Sequence, residues 1–160
     1  VDLRKAFDLV DHDVLLQLLS ECGCTERSLQ WFKSYLSDRE QFVSIQNKKS
    51  GIRNVSVGVP QGSILGPLLF TILINNLPRA VNNASVFMYA DDTTISVSGT
   101  SKQEIEVQLN DVLKVVNEWT VKNKLLMNLK KTKVMMIGSK QRCNNLPDTN
   151  LNVKLNNVTV

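Results

Sequence analysis

Apolar side chains recur at helical spacing in the N-terminal part of the chain. Residues 13–22 place four of them on one face of a helix: Leu15, Leu18, Leu19 and Cys22. Gly23 follows as a typical helix end, and Thr25 can cap a second helix that continues to about residue 37. The pattern predicts two helices that pack together through their apolar faces.

Alternation of apolar and polar residues replaces this spacing in residues 41–47 and 53–57. The two segments predict a hairpin whose turn is the basic stretch 47–51. Residues 62–77 are then apolar on nearly all sides, which predicts a buried helix with Pro67 in its first turn. We expect Leu77-Pro78 to end that helix.

A second hairpin is predicted by residues 85–89 and 93–97, two short strand-like runs that flank Ala90-Asp91-Asp92. Ser101 and Glu104 form a capping box for the clearest amphipathic helix of the chain. Its apolar residues alternate at spacings of four and three: Ile105, Leu109, Val112, Val116 and Trp119. Residues 134–137 predict a further strand, and residues 151–160 alternate again. The fold class is therefore α+β, an antiparallel sheet backed by helices on one face.

Composition is compatible with one globular domain covering residues 1–160, because 42% of the residues are hydrophobic. The net charge of +4 is compatible with a polyanionic partner, but many proteins without such a partner have a similar charge. The number of cysteines is odd, which favours free thiols in a reducing compartment; they are Cys22, Cys24 and Cys143. The longest apolar run is too short to cross a membrane. Val1 begins within a pattern, so we expect a piece of a longer chain.

The paired carboxylates of Asp91 and Asp92 are the first candidate for chemistry. Adjacent carboxylates repel each other, and a divalent cation such as Mg²⁺ relieves this while leaving positions for phosphates. Asp2 also lies at a predicted strand end and is the natural third ligand of a two-metal site. The alternative is an ordinary hairpin turn at Asp91-Asp92. Three other acidic residues and a histidine are interpreted as the polar start of the first helix: Asp8, Asp11, Asp13 and the solvated His12.

A loop between the two acidic sites is the second candidate. It runs from Gly58 through Val59-Pro60-Gln61-Gly62-Ser63 into the apolar helix. Gly62 allows a base or sugar to approach the backbone, and Gln61 offers a donor and an acceptor. The alternative is a plain helix entry.

Four segments occur in an order that resembles motifs A to D of reverse transcriptases. They are Asp2 with Phe7-Asp8, Val59-Pro60-Gln61-Gly62-Ser63, Tyr89-Ala90-Asp91-Asp92, and Asn128-Leu129-Lys130-Lys131-Thr132. The run 2–12 and the Ser-Ile-Leu-Gly-Pro-Leu-Leu-Phe block at 63–70 resemble most the enzymes of non-LTR retrotransposons, which are LINE-like and jockey-like. The resemblance covers nearly the whole chain.

This resemblance implies a partial reverse transcriptase domain: a polymerase palm with fingers and thumb largely missing. It implies RNA-directed DNA polymerisation with an RNA template, a DNA primer and deoxynucleoside triphosphates, inside the cell in the cytoplasm or nucleus. Two Mg²⁺ ions, or Mn²⁺, would be held by Asp2, Asp91 and Asp92. The remaining implied contacts are the Leu3 carbonyl as an additional ligand, Phe7 as a steric gate under the sugar, Gln61, Gly62 and Tyr89 at the substrate, and Lys131 as a proton donor to pyrophosphate.

Alternatives to this interpretation remain for several residues and for the chain. Phe7 can equally be a core residue, and the lysines around Lys131 can be a solvated face. The chain can be a non-catalytic, domesticated or decaying remnant that binds nucleic acid or protein. It can also be the palm of an RNA-dependent RNA polymerase, although Tyr89-Ala90 and Phe7 favour the DNA polymerase. The tail 151–160 resembles the approach to motif E without its Tyr-Leu-Gly.

Overall fold

The computed structural model describes residues 1–141, 150–155 and 158–159. The chain divides into two compact units. Unit 1 consists of Val1–Arg4, Leu77–Lys122 and Leu126–Val160. Unit 2 consists of Lys5–Asn76 and Asn123–Leu125. Cys143, one of the three cysteines, lies outside the described residues.

Unit 2 begins with a 3₁₀ helix (Ala6–Leu9), followed by α1 (His12–Glu21) and α2 (Glu26–Leu36). The Asp11 carboxylate caps α1 by accepting a hydrogen bond from the Val14 N–H, and Thr25 caps α2 as predicted. The predicted leucine face of α1 is buried, but Cys22 is exposed, because it follows the last helical residue and no longer keeps the helical direction. Both predicted helices are confirmed.

The following hairpin starts and ends two residues earlier than predicted, and its strands are paired in two short sections. β1 (Arg39–Gln41) pairs with β4 (Arg53–Val55), and β2 (Ser44–Ile45) pairs with β3 (Lys48–Lys49). The turn is Gln46-Asn47, where both residues have positive φ, so the prediction of a turn over 47–51 was wrong. Two central residues with positive φ match the twist of the flanking strands, and Asn tolerates that conformation.

The apolar segment forms α3 (Leu65–Ile74), whose Leu69, Phe70 and Leu73 are fully buried. The helix starts later than predicted because residues 60–63 form a turn, in which Ser63 Oγ donates to the Pro60 carbonyl. Leu77-Pro78 does not end this helix but begins the next, α4 (Leu77–Ala80). Proline fits the first turn of a helix, where its missing N–H has no partner to lose.

Unit 1 contains α4, the hairpin of β5 (Ser85–Tyr89) and β6 (Asp92–Ser96), and the long helix α5 (Lys102–Lys122). The start of α5 is capped by Ser101 Oγ, which accepts from the Glu104 N–H. The Glu104 carboxylate, however, accepts from the N–H and hydroxyl of Thr100, one residue before the position that a capping box predicts. Hydrogen bonds from Thr100 lower the pKa of Glu104.

The core of unit 1 gathers Leu113 of α5 with residues from both ends of the chain. Val153 and Leu155 of the tail are buried against it, and Val1, Met127 and Val134 pack around them. β7 (Lys154–Leu155) and β8 (Val158–Thr159) form a short antiparallel pair.

The α+β class is confirmed, but the described residues form four two-stranded antiparallel sheets instead of one sheet. Residues 134–137 form no strand, so that prediction was wrong. Strand propensity needs a ladder partner to become a strand, and Val134 instead contributes its side chain to the core. Among the described residues, no helix has both the length and the hydropathy to cross a membrane.

Candidate active site

The β5–β6 hairpin places two carboxylates at its tip. Tyr89 is paired with Asp92, so Ala90-Asp91 is a two-residue loop and Asp92 is the first residue of β6. Ala90 has a φ of 52°, a left-handed conformation that a non-glycine residue adopts only under constraint. Asp91 is half-buried and Asp92 is exposed. The hairpin thus presents both acids at one end of the sheet, as the sequence predicted.

Asp2 lies beside this tip in an extended segment. The backbones of Val1 and Thr93 exchange two hydrogen bonds, of 2.6 and 3.4 Å, which is the pattern of an antiparallel pair. In that register Asp2 is opposite Asp92. The Asp2 and Asp92 carboxylates therefore lie side by side in this pairing.

The other side of Asp2 is held by the segment that follows α5. The Asp2 carbonyl accepts from the Asn128 N–H at 2.9 Å, and the Asp2 N–H donates to the Thr132 hydroxyl at 3.2 Å. Leu3 forms an antiparallel bridge with Met127. Leu3 is buried next to Asp2. The role expected for its carbonyl, as an additional ligand, stays a prediction.

Thr132 is a residue that the sequence analysis quoted but did not single out. It is 3% exposed, and its hydroxyl donates to the Asn128 carbonyl while it accepts from Asp2. The signal for this role is the spacing of four residues between Asn128 and Thr132, which lets a threonine hydroxyl return to a backbone carbonyl one turn earlier.

The three acids match the hard oxygen ligands that Mg²⁺ and Mn²⁺ prefer. Among the described residues, however, no three Asp, Glu, His or Cys side chains are gathered into a group that could hold an ion. The backbone brings Asp2, Asp91 and Asp92 into neighbouring positions without closing their side chains around one point.

Phe7 lies in unit 2, in the 3₁₀ helix. Its ring stacks on Phe70 of α3 with the centroids 4.4 Å apart and the planes 30° apart. Phe70 is fully buried, whereas Phe7 is half-buried. One face of the Phe7 ring therefore packs on the core, while part of the residue is accessible. This arrangement is compatible both with a core residue and with a steric gate.

Gln61 and Gly62 lie in the turn that leads into α3. The Gln61 side-chain amide donates to the Asp8 carboxylate at 2.7 Å, and both residues are exposed. Gly62 has a φ of 80°, and a Cβ added there would meet no other atom within 4 Å. The loop surface at Gly62 is therefore open to a ligand, as the sequence predicted.

Two earlier interpretations in this region were wrong. His12 is not merely solvated, because its Nε2 lies 2.8 Å from the Gly58 carbonyl and donates to it. Asp8 is not a cap of the first helix, since Asp11 takes that place. Both residues instead join the start of the chain to the loop before α3.

The remaining candidates are at the surface. Tyr89 is 85% exposed at the end of β5, which leaves its ring accessible to a substrate. Lys130, Lys131 and Lys133 are all exposed, so burial does not distinguish Lys131 from its neighbours.

Comparison with known proteins decides the family. Residues 1–155 match the family described as reverse transcriptase (RNA-dependent DNA polymerase). The chain belongs to this family. The match includes the β5–β6 hairpin, the Asp2 segment and the loop before α3 in one continuous stretch.

Named relatives come from non-LTR elements of insects. The RNA-directed DNA polymerase from mobile element jockey of Drosophila melanogaster is 29% identical over 97% of this chain and 17% of that protein. The probable RNA-directed DNA polymerase from transposon BS of the same species is 32% identical over 82% of this chain and 15% of that protein. A putative 115 kDa protein in the type-1 retrotransposable element R1DM of Drosophila melanogaster is 31% identical over 86% of this chain and 13% of that protein. The chain thus spans less than a fifth of the length of these relatives.

Proposed function

We propose that the chain is the palm of a reverse transcriptase that copies an RNA template onto a DNA primer from deoxynucleoside triphosphates. The observation that carries this proposal is the register that sets Asp2 opposite Asp92, with Asp91 in the adjoining turn. Directly opposite residues of an antiparallel pair have Cβ atoms about 5 Å apart, a separation that two carboxylates can span around a divalent cation. Family membership favours this function over the alternative of an RNA-dependent RNA polymerase.

Asp2, Asp91 and Asp92 would hold two Mg²⁺ ions, for which Mn²⁺ can substitute. When bound, such ions polarise the phosphoryl group and stabilise the attacking and leaving oxygens of the displacement. The chain's own contribution is to hold Asp2 rigidly, through the backbone hydrogen bonds of Asn128 and the hydroxyl of Thr132. The Leu3 carbonyl and the Tyr89 ring belong to residues close to these acids in sequence. Both contact the substrate.

Unit 2 supplies the groups that sense the nucleotide. Phe7, backed by Phe70, forms a firm surface for the sugar. Gln61 and the open backbone of Gly62 contact the base and sugar. Lys131, in unit 1, donates a proton to the departing pyrophosphate. We propose that both units serve one functional domain, which acts in the cytoplasm or nucleus, where RNA and nucleoside triphosphates occur.

A chimera tests this function. Residues 1–160 replace the matching segment of the Drosophila melanogaster jockey protein, which supplies the remaining length. We expect Mg²⁺-dependent extension of a DNA primer on RNA, and Asp2→Asn or Asp91→Asn should lower its rate by about 100-fold or more.

Primer binding should change little in both variants, because phosphate contacts dominate that affinity. The matched control is Asp111→Asn, which removes an exposed carboxylate from α5. Near-parental extension by either active-site variant would contradict the assignment of the acids, and a remnant without polymerase activity would show no extension in the parental chimera.

A further inference from the structure

The residues that follow Phe7 are locked onto the loop that precedes α3. The Gly58 N–H donates to the Val10 carbonyl at 2.7 Å, and the Val59 N–H donates to the Phe7 carbonyl at 2.9 Å. His12 adds a third bond by donating from Nε2 to the Gly58 carbonyl at 2.8 Å. The two backbones of unit 2 are thus tied together at three points within a few residues.

Gly58 permits this close approach. Its φ is 90°, and a Cβ at this position would lie 2.8 Å from the Asp8 carbonyl oxygen. Such a contact is too short for any side chain, so the backbone of Asp8 occupies the space that a side chain at position 58 would need. The position of Asp8 relative to the loop is therefore set by backbone packing.

This backbone packing also brings two side chains into contact. Gln61 Nε2 donates to Asp8 Oδ1 at 2.7 Å, a short hydrogen bond to an ionised acceptor. A carboxylate can only accept, so it selects the nitrogen end of the amide. The Gln61 carbonyl oxygen and its second N–H take no part in this bond.

The space beside this pair is open. Asp8 and Gln61 line a cleft of about 600 Å³ together with Lys5, Arg39 and Asn54. A nucleotide in reach of Gln61 would meet an amide whose nitrogen end is bonded to Asp8, since exchanging its two ends would break this hydrogen bond. Asp8 itself performs no capping, because the cap of α1 is Asp11.

We propose that Asp8 is a positioning residue for Gln61, which it orients for binding the incoming deoxynucleoside triphosphate. The role rests on the proposed polymerase function. Asp8 acts on nucleotide binding through Gln61 and takes no part in the chemical step. Without it the Gln61 amide rotates among several orientations, only some of which bind the nucleotide.

The test measures kcat and KM for a matched deoxynucleoside triphosphate in the chimera. Asp8→Ala should raise KM roughly tenfold, the factor expected for two side chains in direct contact, with kcat nearly unchanged. Asp8→Asn keeps an acceptor oxygen and should restore KM to within about threefold of the parent. Asp13→Ala, which removes an exposed carboxylate of α1, is the matched control and should leave KM unchanged.

The double variant separates this role from a general loss of structure. If Asp8 acts through Gln61, Asp8→Ala should add nothing to the KM increase that Gln61→Ala already causes. Additive effects, or a fall in kcat without a rise in KM, would overturn the proposal. An inactive parental chimera would count against the polymerase function instead.

A second measurement uses residues 1–160 alone and needs no activity. Asp8 should shift one side-chain amide proton of Gln61 downfield in the NMR spectrum, with the signal assigned by its loss in Gln61→Ala. The shift should disappear in Asp8→Ala and persist in Asp8→Asn. An unshifted pair of Gln61 amide protons in the parental chain would overturn the contact and the role with it.

Discussion

Phe7 combines, at the scale of one residue, a core contact with an exposed part that is proposed to contact the substrate. One face of its ring is stacked on the buried Phe70, while the residue as a whole is only half-buried. Stacking on a fixed ring restricts the motion of Phe7, and a rigid ring excludes a 2′-hydroxyl better than a mobile one. Its proposed function therefore depends on its partial burial.

Replacing Phe7 with Val should open space under the sugar and raise ribonucleotide incorporation relative to deoxyribonucleotide. Losing a steric clash of about 1–3 kcal/mol changes the ratio of kcat/KM for the ribonucleotide to kcat/KM for the deoxyribonucleotide by roughly 10- to 200-fold. The measurement is that ratio in the chimera. Leu19→Ala is the control, because it removes a buried side chain of α1 and should lower stability while affecting both substrates alike. An unchanged ratio in an active Phe7→Val variant would remove the gate assignment.

Asp11 is a second residue whose surroundings make a prediction, here about pH. Burial raises its pKa, but hydrogen bonds from Lys124 and from the Val14 N–H outweigh this, so the pKa is lowered overall. A carboxyl whose folded pKa lies below the ordinary value of about 3.9 stabilises the fold above that pH. The contribution is lost as the pH falls through the lowered folded pKa.

Asp11→Ala should therefore lower the free energy of unfolding of the chain by about 1 kcal/mol at pH 6, where the parent keeps the cap. The difference should be smaller at pH 3. Urea unfolding at both pH values checks this, with Asp13→Ala as a control that leaves the cap in place. An equal loss at the two pH values would show that the charge of Asp11 contributes nothing.

The segment Val1–Arg4 is the element on which the proposed metal site depends. It is too short for a strand of its own, yet its backbone bonds to Thr93 of β6 on one side and to Leu126 and Asn128 on the other. Thr132 completes the second side through its hydroxyl. Asp2 is therefore bonded directly to the segment that follows α5, and its neighbour Val1 is bonded to β6.

Thr132→Val keeps the shape of the side chain but removes the acceptor of the Asp2 N–H. We expect a loss of about 1–2 kcal/mol in the free energy of unfolding, because that N–H is left without a partner in a partly buried position. Amide hydrogen exchange at Asp2 should become faster. Thr94→Val, at an exposed position of β6, should change stability by less than about 0.5 kcal/mol. Unaltered exchange at Asp2 in Thr132→Val would contradict the role of the hydroxyl.

At the scale of the whole molecule, the chain spans less than a fifth of its named relatives. Its net charge is only +4 over 160 residues. Affinity for a primer and template depends on the number of phosphates that a protein neutralises, and a weakly basic chain neutralises few of them. The palm proposed here holds acids for chemistry and offers little with which to hold a duplex.

Residues 1–160 alone should therefore not extend a DNA primer on an RNA template, whereas the chimera should. Incorporation of a labelled nucleotide at low salt, where electrostatic binding is strongest, is the most demanding measurement. Sustained extension by the isolated chain would show that the contacts for duplex and triphosphate lie within these 160 residues.

Local patterns were sufficient to predict most elements of both units. Helices α1, α2 and α5 follow from apolar spacing and polar caps, and the β5–β6 hairpin follows from two alternating runs around an acidic turn. These features depend on contacts between residues close in sequence, so the sequence carries them directly. The acids, Gln61 and Gly62 were candidates from such local patterns, whereas the gate role of Phe7 was implied only by the resemblance to reverse transcriptases.

Tertiary structure decided what depends on distant contacts. The bonds from Thr132 to Asp2 and from Gln61 to Asp8 join residues 130 and 53 positions apart, and no local pattern predicts such pairs. The failed strand at 134–137 has the same cause, because a strand requires a partner that its own sequence does not specify. The sequence thus determined which side chains could perform the chemistry, and the packing of distant segments determined which neighbours hold them in place.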